Sequence, residues 1–162
     1  MEIWDGYNAD KTLAGVDLIR GEDIPSGIYH MVVEIIVRHT DGTFLLMQRD
    51  YNKIGHAGEW EIGAGGSVLK GETPEEGAAR ELHEETGVVA EKLILLAERT
   101  ETRKSGFGVH YFTYQCETDM DKYAVTLQEG ETIDFRWVER SEIADKEYPA
   151  SRQVREILLK KL

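Results

Sequence analysis

The sequence predicts an α/β domain built around one mixed β-sheet, and three observations carry that expectation. One stretch, 73–87, has complete helix punctuation: Thr73 as cap, Pro74 at the first helical position, Glu76 three residues after the cap and Gly87 as stop. Near the C-terminus, Val154, Ile157, Leu158 and Leu162 recur at helical spacing. A larger set of short runs rich in β-branched and aromatic residues surrounds these two helices, so strands outnumber helices.

Taken in order, residues 1–28 are polar and carry four scattered glycines, which predicts an irregular arm or short edge strands. Residues 30–37 and 43–49 read as strands, and Asp41-Gly42 between them predicts a hairpin. A loop with Gly55 and Gly58 leads to Trp60-Glu61-Ile62 and then to Gly63, Gly65 and Gly66. In the helix that follows, Ala79, Leu82 and Thr86 have the spacing of a core-facing stripe. Residues 92–97 and 108–116 read as two more strands, and 133–138 alternates like a half-buried one. A short helix is expected from Ser141, and nothing divides the chain with a linker.

The chain has 162 residues, enough for a hydrophobic core without staples. Its net charge of −12 argues against binding of nucleic acid polymers, though a metal ion can still bridge acidic side chains to a small phosphorylated ligand. The one cysteine, Cys116, excludes an internal disulfide and a cysteine zinc cluster, and reads as a small buried hydrophobe. No apolar run has the length of a membrane span, and the first residues are acidic where a signal peptide would be basic. The expectation is a soluble cytoplasmic protein.

The chemistry concentrates in one string: Gly66, five residues, Glu72, seven residues, Arg80-Glu81-Leu82, one residue, Glu84-Glu85, one residue, Gly87-Val88. On a helix, Glu81, Glu84 and Glu85 present three carboxylates to one patch. Like charges repel there, which a solvated face tolerates and a bound cation relieves. Oxygen donors without histidine or cysteine select Mg²⁺ or Mn²⁺ over zinc, and magnesium shares its shell with substrate phosphates. The glycines upstream let backbone approach the same spot. Arg80 can hold carboxylates by forked hydrogen bonds, and Glu72 fits either as its partner or as an outer metal ligand.

The string matches the Nudix box at every position, and the chain resembles the Nudix hydrolases over about residues 30–162. Met47-Gln48-Arg49, Gly58–Ile62 and Phe135–Val138 are similar to strands of that family. The N-terminal arm, with Trp4-Asp5 and Pro25–His30, is similar to the branch that includes isopentenyl-diphosphate isomerase. The resemblance implies an α/β/α sandwich with a central mixed sheet, in which an arm of residues 1–29 packs on a Nudix hydrolase domain of residues 30–162. It implies a Mg²⁺- or Mn²⁺-dependent pyrophosphatase that cleaves the diphosphate linkage of a nucleoside diphosphate derivative, such as a nucleoside triphosphate or ADP-ribose. Carried over by motif position, Glu81, Glu84 and Glu85 are metal ligands, Arg80 orients them, and the carbonyl of Gly65 or Gly66 completes the shell. A late-loop carboxylate acts as metal ligand or base, with Glu129 the first candidate and Glu131 the second. Arg49 is a candidate phosphate contact. The implied partner is a small nucleotide, and a homodimer is compatible with the arm.

Two departures narrow the function. Isomerases of the related branch use a cysteine before the box, where this chain has Glu61-Ile62-Gly63-Ala64, so prenyl diphosphate chemistry is disfavoured. Members that read oxidised purines carry an asparagine near the last helix; if Ser151 stands in that place, the hydrogen-bonding capacity shrinks from an amide to a hydroxyl. A non-catalytic nucleotide sensor is the alternative class, and the intact carboxylate set speaks against it.

Overall fold

A computed structural model describes residues 1–162 and contains nine strands and three α-helices. The strands are β1 (Ile3–Tyr7), β2 (Leu13–Ile19), β3 (Tyr29–His39), β4 (Phe44–Arg49), β5 (Trp60–Ile62), β6 (Ala64–Ser67), β7 (Ile94–Thr102), β8 (Gly108–Thr118) and β9 (Thr132–Val138). The helices are α1 (Pro74–Thr86), α2 (Arg140–Asp145) and α3 (Arg152–Lys161). Only β3 and β8 run parallel, in register from Tyr29↔Gly108 to His39↔Thr118; every other pairing is antiparallel, so the sheet is mixed.

The sheet is covered on both faces, which is why its central strands are almost continuously apolar. In β3, Val33, Ile35 and Val37 join the core that contains Ala78 and Leu82 of α1. Ile36 points the other way, into a core with Ile143 of α2 and Val154 and Leu158 of α3. Strand β4 alternates likewise, Leu45 and Met47 toward α1 and Phe44 and Leu46 toward α3. The result is the α/β/α sandwich.

The hairpin expected over 30–37 and 43–49 survives only at its turn. Asp41 accepts hydrogen bonds from the Thr43 backbone N–H at 3.0 Å and its hydroxyl at 2.7 Å, and the ladder records one pair, Arg38↔Phe44. Beyond it the strands part, because β5 pairs with β4 and β6 pairs with β3. Gly63 makes that crossing. Its φ is +69°, and a Cβ there would stand 1.8 Å from the carbonyl oxygen of Ile35, so no other residue fits.

Helix α1 forms as its punctuation predicts. Thr73 accepts from the Glu76 N–H at 3.2 Å, Glu76 accepts from the Thr73 N–H at 2.8 Å, and Gly87 closes the end at φ +78°. Its core stripe is Ala78, Leu82 and Thr86, not Ala79, which is exposed: a four-residue step fits the helix better than the expected three. Residues 1–28 are more ordered than an irregular arm. β1 and β2 form a hairpin joined to the sheet at Tyr7↔Tyr29. Trp4 stacks on His30 with ring centroids 4.8 Å apart, and His110 hydrogen-bonds the Asn8 carbonyl at 2.9 Å. Cys116 is buried, its thiol pushed up to about 12 by desolvation. No helix is long and apolar enough to cross a membrane.

Candidate active site

Strand β6 and helix α1 build the site together. The chain turns from β6 into α1, and the helix lies back over the strand it has just left. Gly66 admits that approach: a Cβ on it would fall 2.4–2.6 Å from the carboxylate atoms of Glu81. The glycine of the box is therefore a cradle for a carboxylate, and any side chain there would displace it.

Arg80 organises the acidic row. Its Nε and Nη2 fork onto Glu72 at 2.7 and 3.1 Å, Nη1 donates to Glu81 at 2.7 Å and to Glu84 at 3.3 Å, and Nη2 also donates to the Ser67 carbonyl at 3.0 Å. Glu72 in turn accepts from the Leu69 N–H at 2.8 Å, which fixes the guanidinium to the loop before the helix. Glu72 thus stands as a partner of Arg80.

Glu85 is held differently. It is buried, and its one protein hydrogen bond is from the Gly65 N–H at 3.1 Å. Burial first, then the neighbouring charges of Glu61 and Glu81, push its carboxyl well above the usual range. Burial pushes Glu81 up to about 7 despite Arg80. Glu61 is raised by burial as well, against the opposing pull of Arg49, which donates to it at 3.1 Å. Several carboxylates thus crowd together, and Glu85 among them has no cation beside it.

The space they line is a cavity of about 820 Å³. Glu81, Glu84, Glu85, Arg80, Gly65 and Arg49 all line it. Glu129 does not; it is exposed on the turn before β9, whereas Glu131, the second candidate, reaches the cavity two residues later. The missed residues include Glu61, Lys53 and an N-terminal wall of Glu2, Trp4 and Arg20. Glu61 was open to recognition by alternation, since its neighbour Ile62 is buried on the opposite, α3 side. The N-terminal wall had no local signal. Ser151 is taken up elsewhere, its buried hydroxyl accepting from the Ile62 N–H at 2.8 Å.

The model of the NUDIX domain matches residues 28–158. The chain belongs to the Nudix family. An uncharacterised Nudix hydrolase of Listeria monocytogenes is 33% identical over 88% of this chain and 83% of its own length. A Deinococcus radiodurans crystal structure shares the fold at a TM-score of 0.75, with 20% identity over 96% of this chain and 98% of its own. The MutT protein of Methanosarcina mazei Go1 superposes at a TM-score of 0.68, with 27% identity, covering 86% of this chain and 95% of its own. As a Nudix hydrolase the chain is a pyrophosphohydrolase acting on nucleoside diphosphate derivatives, and Nudix hydrolases generally use divalent metal ions.

The Nudix site fits such an ion by its donor chemistry. No three acidic or histidine side chains converge on a single point in this conformation, because Glu81 and Glu84 are turned onto Arg80 and Glu85 onto Gly65. Yet Glu85 is a buried carboxylate beside three others, Glu61, Glu81 and Glu131, with no cationic partner of its own, and the donors are all hard oxygen. A small divalent cation would balance this set.

Proposed function

We propose that this chain hydrolyses the diphosphate linkage of a nucleoside diphosphate derivative with Mg²⁺ or Mn²⁺ held by Glu81, Glu84 and Glu85, the Gly65 carbonyl completing the shell. The observation that carries the reading is Glu85: a buried, uncompensated carboxylate on the wall of a cavity of about 820 Å³. When bound, the ion neutralises charge on the diphosphate oxygens and makes water a better nucleophile. Arg80 holds the Glu81 and Glu84 carboxylates at the cavity wall, from which they would turn to the ion, while its own charge stays tied to Glu72. Arg49 stands at the end of β4 as the phosphate contact. Water adds to one phosphorus, the bridging P–O bond breaks, and the water proton passes to a site carboxylate. Glu131 takes the late-loop role in preference to Glu129, because it faces the cavity.

The test is a substrate panel of nucleoside triphosphates, ADP-ribose and dinucleoside polyphosphates with Mg²⁺ or Mn²⁺, read as released phosphate or pyrophosphate. EDTA should abolish turnover of any active compound and added metal should restore it. Metal-independent turnover, or tight binding with no product from any compound, overturns the reading.

A further inference from the structure

The N-terminal hairpin contributes a wall of the catalytic cavity, and its charged member is Arg20, just past the end of β2. Arg20 is anchored by its backbone, whose N–H donates to the Glu2 carbonyl at 3.0 Å. Its guanidinium contacts the Glu2 carboxylate at 3.1 Å and reaches Glu131 at 3.6 Å. The other oxygen of Glu131 is paired with Lys53 from the loop after β4. Two cations from distant parts of the chain therefore converge on one carboxylate inside the cavity that Glu81, Glu84 and Glu85 also line.

From this convergence we propose that Arg20 and Lys53 form a second anion subsite, which holds a phosphoryl group of the substrate beyond the diphosphate engaged by the Nudix carboxylates. The inference rests on the function proposed above, in which Glu131 serves the metal side of the cavity. With Glu131 so engaged, Lys53 loses its carboxylate partner and Arg20 keeps only Glu2, so the Arg20 Nη2 and the Lys53 ammonium are free for a phosphoryl oxygen, which supplies the same charge and acceptor geometry. Substrates with three consecutive phosphoryl groups would then be favoured over those with two. Arg20 is a specificity-determining residue, and the hairpin that carries it is part of the enzyme's recognition surface.

The test compares two non-hydrolysable probes, methylenediphosphonate and its three-phosphorus homologue with two methylene bridges, by calorimetric titration with Mg²⁺ present. The wild-type protein should bind the longer probe at least about tenfold more tightly. Arg20→Ala should erase that preference while changing affinity for the shorter probe by less than about twofold, Arg20→Lys should keep part of it, and Lys53→Met should repeat the Arg20→Ala result. Unfolding temperatures of the variants confirm that the hairpin stays in place. An equal loss on both probes would show that Arg20 acts only through Glu131, and no loss on either would show that it does not touch the ligand; both overturn the subsite. If the wild-type protein binds neither probe with Mg²⁺, the diphosphate site itself fails, and the subsite falls with it.

Discussion

Glu34 and Glu85 meet the same residue from opposite sides of the sheet, and the contrast separates scaffold from site. Glu34 pairs in register with Gly65, whose N–H donates to Glu85. On its face, Glu34 receives both guanidinium nitrogens of Arg99 at 2.7 Å and the Thr113 hydroxyl at 2.7 Å, and Arg99 lies over the Tyr111 ring at 4.0 Å. Its charge is fully answered within the protein. Glu85 has one N–H and three acidic neighbours, Glu61, Glu81 and Glu131. A carboxylate satisfied by its surroundings holds strands together; one left wanting is built for something that arrives later.

The largest expected effect breaks the second half of that contrast. Glu85→Gln should lower turnover by at least about a thousandfold, roughly 4 kcal/mol of transition-state stabilisation. The same change should raise the unfolding temperature of the metal-free protein, because it removes a buried charge that nothing compensates. Loss of both activity and metal-free stability would mean that Glu85 is a scaffold residue like Glu34.

The second prediction reads the same imbalance through pH. Glu81 titrates at about 7 in the folded protein against 4.5 when unperturbed. Between those values the folded state holds more protons than the unfolded chain, so metal-free stability falls as pH rises through the window, by about 3 kcal/mol from this group. His30, held at about 4 by burial, acts in the opposite sense over an overlapping range, since its unfolded form binds the extra proton. The difference between wild type and Glu81→Gln therefore cancels His30 and reports Glu81 together with its push on Glu85, which acts in the same direction. Urea unfolding in EDTA should show Glu81→Gln gaining stability over wild type from pH 5 to pH 7.5, and Mg²⁺ should restore wild type selectively at the higher pH. A constant difference across that range refutes the account.

Much of this was legible in the residues because it is local. The capping box of α1, its glycine stop and the acidic row are all set within about twenty consecutive positions, and the expected helix and carboxylate patch are where the spacing put them. What escaped notice depends on chain segments distant in sequence. Gly63 crosses from one partner strand to another only because β3 and β4 diverge, and an Asp-Gly turn says nothing about how far a ladder continues. Glu129 and Glu131 share one loop, and the cavity selects between them. Arg20 joins the site through a hairpin whose polar, glycine-spotted sequence reads as a loose arm until Trp4, His30 and His110 fix it to the sheet.

The smallest expected effect tests the satisfied side. Glu34 and Arg99 are each about four-fifths buried, with side-chain exposures of 17% and 21%. Glu34→Gln keeps the shape but removes the charge that Arg99 faces, at a cost of about 2 kcal/mol in unfolding free energy, below the value for a fully buried pair because some water remains. Arg99 keeps its contact with Glu101 at 3.5 Å and its place over Tyr111, so the strands stay paired. Turnover should stay within about threefold of wild type, since Glu34 points away from α1 and does not line the cavity. If turnover instead falls as it does in Glu85→Gln while the fold persists, the two faces of β6 are coupled through Gly65, and the division between structural and catalytic carboxylates fails at that strand.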